Sequence, residues 1–218
     1  LPEERAFAIR HYQDVVDLAS DLGAPLVLYV CGWQVYGSSR AEAFDWSRDA
    51  LDAIAAHAAG RGITIAIEPT SADSNLIDTA DQAIELQQAV GRPNVKLMFD
   101  TFHVLYRNDV SADYARRMGA DLAHVHFADT DRRVPGDGTV DFPSVMQALR
   151  DIDYRGFVTM EIGFNRRDSD PDVMARRLAY VVDQDVTSVR RRLGRDKGFV
   201  WIARQVDPDL RSAIHPFM

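Results

Sequence analysis

The chain has 218 residues, 46% hydrophobic and 27% charged, enough for one globular core without a second domain. Acids outnumber bases 33 to 25, and a net charge of −8 repels a phosphate backbone, so nucleic acid is not an expected partner. No apolar run is long enough to cross a bilayer and no signal peptide opens the chain. The single cysteine, Cys31, forms no intrachain disulfide, so a cytoplasmic protein without membrane contact is expected.

Taken in chain order, the pattern alternates between helix and strand. Arg5 to Leu22 sets Phe7, Ile9, Val15, Val16, Leu18 and Leu22 largely on one stripe, and Gly23 stops the helix. A strand follows at 25–30, then a helix from Phe44 to Ala59 ending at Gly60, and a strand at 63–67. Thr79 to Val90 is a helix closed by Gly91, followed by a strand at 95–99. Asp113 to Met118 is helical, 122–127 is a strand, Phe142 to Ile152 is a helix, and 157–160 is a strand. A last helix is expected from Asp172 to about Leu193. The strands are short, rich in β-branched residues and apolar on both faces, as in a parallel sheet buried on both sides.

Alternating strands and helices imply βαβ units. Five strands are three short of a closed (β/α)8 TIM barrel. The expectation is such a barrel over residues 1–193, with its first three βα units missing from this chain; an open five-stranded sheet is the alternative. Residues 194–218 form an extension whose Phe199, Val200, Trp201 and Ile202 are too apolar for a free tail.

In parallel β/α folds the functional groups stand at the C-terminal strand ends. Four successive strands end in or near Glu68, Asp100, His126 and Glu161, spaced 32, 26 and 35 residues apart, each about one βα repeat. Singly, each carboxylate is as well explained by a helix cap or an arginine pair, and His126 by a core histidine. Together, three carboxylates on one rim repel one another unless a cation sits among them. Oxygen ligands with one imidazole suit one hard or borderline divalent ion: Mn²⁺ is favoured, with Mg²⁺, Co²⁺ or Zn²⁺ as alternatives. One cysteine excludes a thiolate-rich structural zinc site. His103 and Arg132 stand in the loops beyond, the latter before Pro135-Gly136-Asp137-Gly138, and are expected to touch substrate. Trp33 and Tyr36 are candidates for an apolar wall, and His124 for support of His126.

Glu68-Pro69, the run Met98 to His103, the run His124 to Asp129 with Arg132 and the following glycine turn, and Met160-Glu161 resemble the xylose-isomerase-like sugar isomerases and epimerases. The nearest resemblance is to ketose 3-epimerases of the tagatose and psicose type and to inosose-handling relatives. It implies that Glu68 and Glu161 are both metal ligands and proton-transfer groups, that Asp100 and His126 complete the metal shell, and that His103 and Arg132 bind substrate. The implied reaction is isomerisation or epimerisation of a ketose or related polyol ketone, by proton abstraction and return through a metal-stabilised enediolate. A lyase or dehydratase on the same scaffold (inosose dehydration or C-glycoside cleavage) is the alternative, and a homo-oligomer is expected by analogy. One position departs from the pattern. Ser74 stands six residues after Glu68, where ketose epimerases commonly carry a substrate-touching glutamate. An abasic-site endonuclease needs more strand-end histidines and a basic face, and a non-catalytic barrel would not keep the ligand set.

Overall fold

The structure is a computed structural model and describes residues 1–163, 172, 175, 176, 178, 179 and 184–194. Its chain contacts divide it into two compact units, 1–99 with 121–123, and 100–120 with the residues from 124 onward. The five expected strands are present: β1, β2 and β3 are hydrogen-bonded in that order, and β4 is paired with β5.

In the first unit, α1 (Pro2–Asp21) leads to β1 (Leu26–Tyr29), α2 (Arg40–Ala59), β2 (Thr64–Ile67), α3 (Ala80–Val90) and β3 (Val95–Asp100), whose last residue belongs to the second unit. The pairing is parallel, with Tyr29 opposite Ile67 and Ile67 opposite Leu97. Two helix starts are written in the sequence. The Ser39 hydroxyl accepts from Glu42 N while Glu42 accepts from Ser39 N at 2.9 Å, and Thr79 with Gln82 repeats the arrangement. At the end of α3, Gly91 takes φ +67° and donates to Gln87 O at 2.9 Å, a left-handed cap that suits glycine. Leu51, Ile54, Ile65, Ile67, Leu86, Leu97 and Phe99 are fully buried. Leu51→Ala should therefore cost about 2–5 kcal/mol in denaturant unfolding; a loss below about 1 kcal/mol would contradict this packing.

In the second unit, α4 (Thr101–Tyr106) and α5 (Ser111–Met118) precede β4 (Leu122–Phe127), whose first two residues lie in the first unit. Then come α6 (Phe142–Asp151), β5 (Phe157–Met160) and α7 (Val186–Leu193). His126 faces Thr159 and Phe127 faces Met160 in the parallel register. Phe127 packs on Phe142 with centroids 5.0 Å apart, and Val134, Ala175, Leu178, Ala179 and Val189 form a further apolar cluster.

Four expectations need correction. The stripe on α1 buries Val16 only: Phe7, Leu18 and Leu22 are exposed, because periodicity marks an apolar face without supplying what covers it. β5 is half-buried at every position rather than buried on both faces. α4 was not anticipated; six residues are too few to show a period, and Asp100 starts it by accepting from Phe102 N at 2.8 Å. The single helix expected from Asp172 to Leu193 is interrupted. Residues 172, 175, 176, 178 and 179 are helical, Gln184 and Asp185 are not, and Asp185 caps α7 afresh by accepting from Ser188 N at 2.7 Å. The extension, from residue 195 onward, lies outside the described residues. Among the described residues no helix is long and apolar enough to cross a membrane.

Candidate metal centre

Each of the four expected ligands stands in a strand or directly follows one. Glu68 is buried just after β2 and its backbone N–H donates to Tyr29 O at 3.0 Å. Pro69 follows and has no N–H to offer. Asp100 ends β3 with its side chain fully buried. His126 stands in β4, and Glu161 follows β5 with its N–H donating to Phe127 O at 3.0 Å and its side chain about half exposed. Within the second unit Asp100, His126 and Glu161 each offer one donor atom, and these atoms lie within 4.8 Å of one another. An ion with bonds of roughly 2.0–2.2 Å holds its donors at most about 4.4 Å apart, so the donor set fits a divalent ion after small adjustment.

Arg132 stands among these side chains. Its Nη1 pairs with Asp100 Oδ2 and, at 2.9 Å, with Glu161 Oε2. Its Nη2 donates to His103 Nε2 at 3.2 Å; a guanidinium cannot accept, so the His103 proton is on Nδ1. The guanidinium carbon lies 4.3 Å from the centroid of the Phe102 ring. His103 is buried on α4 rather than in a loop. Arg132 was expected as a substrate contact, and its ion pairs with two of the ligands were not anticipated.

The carboxylates of Asp100 and Glu161 with the one guanidinium of Arg132 leave one negative charge when all are ionised. The protein relieves this within the pair Asp100 and Glu161. Burial, then the hydrogen bond and charge of Glu161, push Asp100 up to about 7 against the pull of Arg132. For Glu161, burial raises the value, but hydrogen bonds with His126 and Asp100 and the charges of His126 and Arg132 prevail and hold it well below the usual carboxylate range. The buried member keeps the proton and the half-exposed one stays ionised. The sign for stability follows. Asp100 has a folded value above its unfolded one, so its contribution is present below about pH 4 and is lost as pH rises through about 7. Chelated protein should melt lower at about pH 8 than at about pH 6, and Mn²⁺ affinity should climb over the same interval as the ion displaces that proton. Equal slopes in Asp100→Asn and wild type would assign the effect elsewhere.

The loop carrying Arg132 is tied by Asp129, which sequence reasoning did not single out. Fully buried, Asp129 accepts from Thr130 N at 2.8 Å, Gly136 N at 2.9 Å and Val140 N at 3.1 Å. Three backbone donors satisfy a buried carboxylate without a cation. An Asp followed by a Pro-Gly-Asp-Gly turn was the available signal. A Cβ at Gly138 would lie 2.2 Å from Asp129 Oδ1 and 2.3 Å from Thr130 Oγ1, so only glycine fits. Gly138→Ala should destabilise by about 1–3 kcal/mol and slow any reaction needing Arg132; an unchanged melting temperature would contradict this.

His124, expected to support His126, lies beside it. Its ring meets His126 edge-on at 5.0 Å and its Nε2 lies 3.0 Å from Thr159 Oγ1; burial, then His126, push it down to about 4. In the first unit, Trp33 is 58% exposed in the loop after β1 and Tyr36 is fully exposed. Ser74 is buried and donates to Gly32 O at 2.5 Å while accepting from Leu76 N at 3.2 Å, so it ties two loops together. Burial pushes the Cys31 thiol up to about 12.

A family profile described as "Xylose isomerase-like TIM barrel" matches residues 1–181. The chain belongs to that family. The xylose isomerase-like chain is 34% identical over 162 residues to D-psicose 3-epimerase from Agrobacterium fabrum, covering 72% of this chain and 55% of that protein. It is 34% identical over 113 residues to L-ribulose 3-epimerase from Methylomonas sp., covering 51% and 40%. Among solved structures it is similar to D-psicose 3-epimerase with D-tagatose from Clostridium cellulolyticum H10. The TM-score is 0.68 at 28% identity, over 76% of this chain and 59% of that one. The chain therefore spans about half the length of the curated relatives it matches.

Proposed function

We propose that this protein is a divalent-metal-dependent epimerase of a ketose or a related polyol ketone. The observation that carries the reading is the gathering of Asp100, His126 and Glu161, whose donor atoms lie within 4.8 Å of one another, in a chain similar to ketose 3-epimerases; Glu68, just after β2, is proposed as the fourth ligand. Those four residues hold the ion, with Mn²⁺ favoured by the oxygen-rich donor set. Bound there, a divalent ion supplies Lewis acidity that makes the proton beside a ketone removable.

The remaining chemistry belongs to side chains. Glu161 is ionised at neutral pH and able to accept a proton. Glu68 and Glu161 form the acid–base pair, one taking the proton and the other returning it to the opposite face, which inverts the carbon. Arg132 and His103 hold the oxyanion that develops on the substrate, a role worth several kcal/mol where water is excluded. Trp33 is proposed as an apolar contact for the sugar.

Ser74 favours keeping a second reading, since a hydroxyl committed to Gly32 O does not replace a substrate-touching glutamate. The same proton abstraction ends in a lyase or dehydratase if a neighbouring substituent leaves. Incubation of Mn²⁺-loaded protein with ketohexoses, ketopentoses and inososes in D₂O separates them. An epimeric product carrying one deuterium supports the epimerase, loss of water or of an aglycone supports the alternative, and no reaction with any of them contradicts both.

A further inference from the structure

Arg132 holds oxygens of two residues that the metal group also uses, Asp100 and Glu161. Its position is built into the backbone. Arg132 takes φ +59°, beside Asp131 at φ +57°, and its carbonyl accepts from Gly163 N at 2.7 Å. A non-glycine residue rarely adopts that region. The buried Asp129 carboxylate and the close fit of Gly138 hold the loop in that conformation. The fold therefore places a guanidinium against the two carboxylates.

Resting on the metal-dependent reading above, we infer that Arg132 is an exchangeable counter-cation. It competes with the divalent ion for Asp100 and Glu161, and loading the ion frees its guanidinium for the substrate. The charges require this competition. A guanidinium within hydrogen-bond reach of two carboxylates lowers their attraction for an incoming cation, and an ion on those oxygens weakens their hold on Arg132. The coupling is reciprocal because both are binding equilibria. Without Arg132 the Asp100 and Glu161 side chains lose their counter-charge, so their demand for a cation rises. A residue in contact with the ligands thus lowers metal affinity, where a supporting residue would raise it.

The test is calorimetric titration of the chelated full chain with Mn²⁺. Arg132→Met should bind roughly tenfold more tightly than wild type, and Arg132→Lys, which keeps the charge, should stay nearer wild type. Chelated Arg132→Met should melt below chelated wild type, with the gap narrowing when Mn²⁺ is saturating. A measurement on wild type avoids dependence on the variants. The Arg132 side chain is 23% exposed, enough for modification by phenylglyoxal, and Mn²⁺ should speed that modification as read by mass spectrometry of the Arg132 peptide. Equal or weaker Mn²⁺ binding by Arg132→Met, or slower modification with Mn²⁺, overturns the exchange. Wild type that binds no Mn²⁺ removes the metal-dependent reading and the exchange with it. Wild type that binds Mn²⁺, with a variant no tighter, removes the exchange alone.

Discussion

Glu161→Gln is expected to abolish exchange of the substrate's α-proton with solvent and to lower turnover about 10²–10⁴-fold, while the protein still binds Mn²⁺. Glutamine keeps the length and one donor oxygen, so it preserves part of the ligand set. It lacks the anionic oxygen that accepts a proton. The wild-type side chain is half exposed and ionised, and is held by His126 Nδ1 at 2.8 Å and Arg132 Nη1 at 2.9 Å; it gains basicity as those partners turn to other groups. Deuterium uptake measured by NMR distinguishes the loss of a base from the loss of the ion. Uptake at the wild-type rate would remove Glu161 from proton transfer.

Chelation carries the second large effect. Removal of the ion is expected to eliminate activity and to lower the melting temperature by about 5–10 °C relative to protein at about a hundredfold excess over Kd. Saturation of that degree contributes about 2.7 kcal/mol, and a chain of this size shifts by roughly 2–4 °C per kcal/mol. The physical source is the uncompensated charge. Arg132 neutralises one of the carboxylates Asp100 and Glu161, and the proton on Asp100 offsets the other only below about pH 7. Full activity and an unchanged melting temperature after chelation would contradict a metal role altogether.

The strands were legible because each carries a short, largely apolar run, and the ligands because one βα repeat separates successive strand ends. Asp100, for example, had to end β3 if Phe99 was its last buried apolar residue. The same logic failed for His103, since the six residues of α4 are too few to show a helical period. It failed again at Arg132. Positive φ at a non-glycine residue leaves no compositional trace, and an ion pair with Asp100 depends on a loop folded by Asp129, which accepts from three backbone N–H groups. Strand-end spacing brings only acids and one imidazole to the rim, whereas the folded loop adds a guanidinium to it. On α1, Phe7 and Leu22 read as core and stand exposed, because an apolar stripe records a preference and not a neighbour.

The proposed metal-dependent chemistry requires the strand-end residues to act as one coordination set. Equilibrium dialysis of the chelated chain against Mn²⁺ tests that most directly, using wild type and Asp100→Ala. Wild type is predicted to hold about one ion per chain, and the variant to bind at least about tenfold more weakly. No bound ion in wild type, or an ion held equally well without the Asp100 carboxylate, would contradict it.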